Sequence, residues 1–84
     1  MRLVKLSANA YAAFNALAPE GAPRKALAAV LAEMMDDRVP LVKEGDFATV
    51  HGASIMARPV PSTDLAVCYV PAGDDVFVVN IKRT

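Results

Sequence analysis

The chain has 84 residues and a mass of 8.9 kDa, which leaves room for one domain with one core, residues 1–84. Nine basic and nine acidic residues cancel, and a chain without a basic excess is not expected to bind nucleic acid through its phosphates. No disulfide can form within the chain because Cys68 is its one cysteine. There is no signal-peptide pattern and no apolar run near the ~18 residues of a spanning helix, so we expect a cytoplasmic protein without a membrane segment.

The first half of the chain predicts a strand followed by two helices. Residues 2–6 (RLVKL) are apolar-rich and precede Ser7, a good helix N-cap, which indicates a short strand. Residues 8–18 predict a helix because they are rich in alanine, the strongest helix former. The sequence PEG at residues 19–21 ends that helix.

The second helix shows the clearest periodicity in the sequence. Pro23 suits its first turn, where the missing N–H is not needed. Apolar residues then recur at helical spacing up to Met35: they are Leu27, Val30, Leu31, Met34 and Met35. Since only a few residues separate the two helices, we expect them to form an antiparallel helical hairpin.

The second half predicts extended structure. Residues 47–51 and 53–58 are interpreted as one strand with a bulge at Gly52. Residues 64–70 (DLAVCYV) and 76–81 (VFVVNI) predict a hairpin around the turn-forming residues 71–75. The predicted fold is α+β in the order β-α-α-β-β-β: an N-terminal strand, the helical hairpin, and a three-stranded antiparallel meander with the helices on one face.

A five-residue turn places Val70 opposite Val76, and alternation along the two strands then separates large from small side chains. We expect the large set to face the helices: Leu65, Val67, Tyr69, Phe77, Val79 and Ile81. The small set faces away: Ala66, Cys68, Val70, Val76, Val78 and Asn80, with Lys82 beyond.

Two short helices cover only one side of a sheet, so the small-residue face predicts a contact site for a protein partner or for a second copy in a homodimer. The alternative is that residues 38–46 or the C-terminal residues fold over it. Lys82 and Arg83 are either a solvated end or contacts to an acidic partner. The predicted partner-binding residues are Ala66, Cys68, Val70, Val76, Val78, Asn80, Lys82 and Arg83.

No group of residues predicts catalysis, a metal or a cofactor. His51 is the single histidine and has no evident acid–base partner. Cys68, inside a strand, favours an inert packed thiol. Adjacent acids at residues 36–37 and 74–75 point apart, as solvated helix-end and turn residues do. The chain also lacks paired zinc ligands and a glycine-rich phosphate loop.

The hairpin of residues 64–70 and 74–83, with its acidic turn and basic end, resembles the RelE/ParE superfamily of bacterial toxins, as does the order of elements. In the mRNA-cleaving branch an arginine stands where this chain has Ala66, and a His or Tyr follows the last strand, where this chain has Lys82, Arg83 and Thr84. The resemblance therefore implies the scaffold and the mode of the gyrase-directed branch, which acts by binding. The expected function is a non-catalytic, toxin-like protein held by a cognate antitoxin. The alternative is an inhibitor or adaptor from a phage or mobile element that binds a host protein complex without an antitoxin.

Overall fold

The computed structural model describes residues 1–48 and 55–83. They form two helices and a five-stranded mixed sheet, which confirms the α+β class and the order of an N-terminal strand, helices and then strands. The elements are β1 (Val4–Leu6), α1 (Ala8–Ala16), α2 (Ala22–Met35), β2 (Phe47–Ala48), β3 (Met56–Pro59), β4 (Leu65–Ala72) and β5 (Asp75–Arg83).

Ser7 connects the start of α1 to the sheet. Its Oγ accepts a hydrogen bond from the Ala10 N–H at 3.0 Å, as an N-cap should, and its hydroxyl donates to the Val79 carbonyl at 2.7 Å. The helix ends at Ala16, two residues before the predicted end, because Leu17 already has extended dihedral angles. The same serine thus begins the helix and fixes it against β5.

Arg2 caps the C-terminal end of α2. Its guanidinium donates to three carbonyls at and beyond the C-terminus of α2: those of Met34 (3.0 Å), Asp36 (3.4 Å) and Val39 (3.1 Å). The last carbonyls of a helix have no hydrogen-bond partner within the helix. A cation at this position also interacts favourably with the negative end of the helix dipole. Arg2 therefore acts as a C-terminal cap supplied from a distant part of the chain.

The sheet has the strand order β1-β5-β4-β3-β2, in which β1 is parallel to β5 and the other pairs are antiparallel. The prediction of one interrupted strand over residues 47–58 is wrong. Phe47 and Ala48 pair antiparallel with Ala57 and Met56, so this segment makes two strands, and the meander has four strands instead of three. Gly52, the predicted bulge, lies outside the described residues.

The predicted register of the last hairpin is wrong by one residue. Val70 lies opposite Phe77, and the strands extend to the pair Ala72 and Asp75, so that only two residues remain in the turn. Gly73 begins this turn with φ of +66°, the left-handed conformation that two-residue hairpin turns use. A shift of one residue exchanges the two faces of a strand.

A β-bulge then restores the original faces further along β5. Cys68 pairs with Asn80 while Tyr69 pairs with Val78, so Val79 is an extra residue in β5. Val76, Val78 and Ile81 consequently all face the helices, and Phe77 does not. The placement of Phe77 in the core is thus corrected: its side chain is 39% exposed.

The core lies between the helices and one face of the sheet, as predicted. Tyr69, Leu27, Met34 and Val78 are among its most deeply buried large side chains. The cluster of buried residues that forms this core consists of Ala10, Leu27, Val30, Met34, Val60, Leu65, Val67, Tyr69, Val76, Val78 and Ile81. Neither helix in the described part of the chain has the length and apolar character needed to cross a bilayer.

Candidate functional site

A buried ionic cluster lies beneath the connecting segment, residues 36–46, which joins α2 to β2. Arg58 on β3 is only 5% exposed. Its Nε donates to both carboxylate oxygens of Asp46 at 3.2 Å, and its Nη2 donates to Oδ2 at 3.1 Å and to the Leu41 carbonyl. Arg58 faces inward because it pairs with Val67, a core residue of the neighbouring strand.

Tyr69 completes this cluster. Its hydroxyl donates to Asp46 Oδ2 and lies 3.2 Å from the Leu41 carbonyl, while its ring centroid is 5.5 Å from the guanidinium carbon of Arg58. Burial, together with the hydrogen bond to Asp46 and its negative charge, raises the pKa of Tyr69 to about 12. Tyr69 therefore remains a protonated donor at neutral pH.

Asp46 remains ionised in spite of its burial. Desolvation raises the pKa of Asp46, but hydrogen bonds from Arg58, Tyr69 and the Lys43 N–H, with the charge of Arg58, outweigh it and leave the pKa below its ordinary value. A permanently charged arginine, an ionised aspartate and a neutral tyrosine make a structural anchor and are poorly suited to proton transfer. The anchor holds the connecting segment on the helix side of the sheet, so the alternative in which residues 38–46 cover the small-residue face is wrong.

The predicted binding residues divide into three groups. Ala66 and Cys68 face away from the helices as predicted but are only 1% and 5% exposed, and Val70 is half-buried on that side. Val76 and Val78 lie in the core, so their inclusion in a contact surface is wrong, and the register shift is the reason. The polar residues Asn80, Lys82 and Arg83 are exposed.

The shift brings different apolar residues to this side of the sheet. Phe77 lies on β5 between Lys5 on β1 and Val70 on β4. Leu3, just before β1 and 56% exposed, alternates with the inward-facing Val4. We call this surface the outer face and define it by Leu3, Lys5, Val70, Phe77, Asn80 and Lys82.

The thiol of Cys68 is buried, and the acidic residues Asp36, Asp37 and Asp75 each bind a partner within the chain. Burial raises the pKa of the Cys68 thiol, although Lys82 opposes the shift, so the reactive thiolate is disfavoured. Asp36 binds Arg38 at 3.0 Å, Asp37 binds the amino group of Met1 at 2.9 Å, and Asp75 accepts from the Leu3 N–H at 3.1 Å. Within residues 1–48 and 55–83, no three acidic, histidine or cysteine residues converge as metal ligands. His51 lies outside the described residues.

Sequence reasoning missed the Arg58–Asp46 pair. The usable signal was alternation in MARP, residues 56–59. Met56 and Arg58 lie on the same face of the strand, because side chains two residues apart point to the same side. If Met56 faces the core, Arg58 must face it too, and a buried arginine needs a buried acidic partner.

Comparisons with protein-family models, with curated proteins and with solved structures found no match for this chain.

Proposed function

We propose that this chain is a small, non-catalytic protein-binding domain that acts through its outer face. The observation that carries the proposal is the position of Phe77. A large aromatic side chain on an inner strand of the sheet is 39% exposed, on the side opposite the helices. Aromatic residues on a rigid base are frequent anchors of protein interfaces because they bury much apolar area with little loss of conformational entropy.

The surroundings of Phe77 suit such an anchor. Leu3 adds a second exposed apolar side chain and Val70 a half-buried one, while Lys5, Asn80 and Lys82 provide a polar rim. An apolar centre with a polar rim is the usual composition of a protein interface. Beneath this surface, Val76 and Val78 of the same strand are packed in the core, which holds the backbone of Phe77 in place.

The toxin-like scaffold belongs to the same proposal. The order of elements, with one strand, two helices and then only strands, supports a toxin-like scaffold. Four strands follow the helices, one more than in the order β-α-α-β-β-β on which the resemblance was based. A toxin of this kind uses the surface to bind its macromolecular target or its antitoxin. The alternative inhibitor or adaptor uses the same surface on a host complex and has no antitoxin.

The test compares the outer face with the helix side. Tagged wild-type protein, Phe77→Glu and Tyr11→Glu are used to capture partners from the native host, and each captured protein is purified and titrated by isothermal calorimetry. Tyr11 is the control because it is 61% exposed on α1. We expect a partner that binds the wild type and Tyr11→Glu but loses affinity at least ~100-fold for a folded Phe77→Glu, as for an interface hot spot. Partners that bind all three proteins equally would contradict the proposal.

A further inference from the structure

The most exposed apolar part of the outer face lies next to a free edge of the sheet. β1 is the last strand at its end of the sheet, beside β5. Leu3 directly precedes β1, and Phe77 lies one strand further in, level with Lys5. A protein that covers Leu3 and Phe77 therefore also comes within reach of the outer edge of β1.

The pairing of β1 with β5 determines which backbone groups this edge presents. The Leu3 carbonyl and the Ser7 N–H each form a hydrogen bond of 2.9 Å with β5. Because the backbone hydrogen bonds of a strand alternate between its two sides, Lys5 also bonds to β5, whereas Val4 and Leu6 direct their N–H and C=O groups outward. In the described part of the chain these four outward groups have no hydrogen-bond partner.

The apolar layer beneath the helices is not closed at this edge. The side chains of Val4 and Leu6 pack against the core but are only half-buried. Val76 and Val78, which lie level with them on β5 and have β1 beside them, are 1% and 0% exposed. A further strand beside β1, with apolar residues at alternate positions, would cover Val4 and Leu6 as β1 covers the two valines.

Resting on the function proposed above, we infer that the partner adds an extended strand to the outer edge of β1 and covers Leu3 and Phe77 with the residues that flank this strand. An extended main chain is the ligand that offers N–H and C=O groups at the spacing of those on Val4 and Leu6. Phe77 lies about 10 Å from the added strand, at ~4.8 Å per strand, so flanking residues of the partner can reach it.

A second copy of the chain is a poorer occupant of this edge. Antiparallel pairing of all three residues of β1 with those of another β1 places Lys5 directly opposite Lys5 of the second copy. Like charges in that position are destabilising, and an edge lysine is a common protection against pairing between identical edges. A partner strand of different sequence does not have this conflict.

The probe for the test is a synthetic peptide taken from a displayed library of random 12-residue peptides selected against wild-type protein. Amide hydrogen exchange, followed by NMR, is compared for the free and the peptide-bound protein. We expect the peptide to slow exchange of the Val4 and Leu6 N–H groups at least ~10-fold, because they gain hydrogen-bond partners. The Lys5 and Ser7 N–H groups are the internal controls, since they already bond to β5 and should change little.

A pair of variants separates the backbone from the side chain. Val4→Pro removes an N–H that points away from β5, and proline is tolerated on an edge strand in that orientation. Val4→Ala is the matched control, since it shortens the same side chain and keeps the N–H. With folding checked by circular dichroism, Val4→Pro should bind the peptide about tenfold more weakly than Val4→Ala. Methylation of the peptide's own amide nitrogens, one at a time, should weaken binding at alternate positions.

Each outcome bears on one of the two proposals. A peptide that loses binding to Phe77→Glu but leaves the exchange of Val4 and Leu6 unchanged, or lacks the alternating response to methylation, overturns the inference and leaves the proposed function standing. These two measurements use wild-type protein and decide the question even if Val4→Pro does not fold. A peptide that binds Phe77→Glu as well as wild type overturns both proposals, and so does the enrichment of no peptide. Protection of Val4 and Leu6 that rises with protein concentration, without peptide, would make a second copy the occupant and overturn the inference.

Discussion

Arg58 of β3 and Asp46, just before β2, form a salt bridge that is almost completely shielded from water. The distance from Nη2 to Oδ2 is 3.1 Å, and the two side chains are 6% and 2% exposed. Such a pair is costly to break from one side, because the remaining charge stays buried without compensation. The pair also fixes the end of the connecting segment, so the geometry of the β2–β3 edge depends on it.

Replacing Asp46 with asparagine should lower the free energy of unfolding by about 3–5 kcal/mol, since the Arg58 charge remains in place. Urea denaturation followed by circular dichroism measures the change. The matched control is Asp64→Asn: Asp64 binds Arg83, but these side chains are 55% and 68% exposed. The control should cost no more than about 1 kcal/mol. Equal losses in both variants would show that the burial of the Arg58–Asp46 pair has no energetic consequence.

Acidification should weaken the fold through the same aspartate. Asp46 has a pKa below its ordinary value in the folded protein, so its contribution is complete above the unfolded pKa of about 3.9 and is lost as the pH falls through the folded pKa. Unfolding free energies measured between pH 6 and pH 2 should therefore converge for wild type and Asp46→Asn at the acidic end. If the unfolding free energies of wild type and Asp46→Asn instead differ by the same amount from pH 6 to pH 2, the acid sensitivity does not come from Asp46.

Two neighbouring residues on β5 should respond in opposite ways to a glutamate. Val78 is fully buried, and Val78→Glu should unfold the domain because the charge cannot be solvated. Phe77→Glu should stay folded, with a loss of about 1 kcal/mol, because Phe77 is partly exposed and the new side chain reaches water. Circular dichroism and thermal melting distinguish the two results. If Phe77→Glu unfolds and Val78→Glu does not, the hairpin has the register expected from the sequence alone.

The cap supplied by Arg2 should contribute measurably to stability. Arg2→Ala removes the charged donor from the three carbonyls at the end of α2, and we expect a loss of about 1.5–3 kcal/mol in urea denaturation. Lys25→Ala serves as the control, since Lys25 is exposed on the same helix. A similar, small effect of both substitutions would mean that water replaces the guanidinium at no cost.

The protein should not cleave RNA. The thiol of Cys68 is buried with a raised pKa, and Ala66 stands where the nuclease branch of the resembled family has arginine. Messenger RNA incubated with the purified protein, alone and with ribosomes, should remain intact on a denaturing gel. Specific cuts that disappear in His51→Ala or Arg83→Ala would assign the protein a catalytic function.

Local patterns in the sequence were sufficient for the elements whose causes are local. Ser7 as N-cap, alanine-rich α1 and the apolar periodicity from Leu27 to Met35 depend on neighbours within one or two turns, and the structure contains both helices close to the expected ends. The valine-rich pair of β4 and β5 is confirmed for the same reason, because strand propensity and a turn-forming loop lie together in the sequence.

Tertiary structure decided which side each residue faces. Faces along a strand alternate with a period of two residues, so the choice of a two-residue turn at Gly73 moved Phe77 outward and Val76 and Val78 inward. The bulge at Val79 then returned Ile81 to the core, and no local signal in the sequence marks that position. The Arg58–Asp46 pair joins β3 to the end of the connecting segment, and its two residues are 12 positions apart in the sequence. Only the folded chain brings these two charges together, since their attraction becomes strong where packing of the connecting segment excludes water.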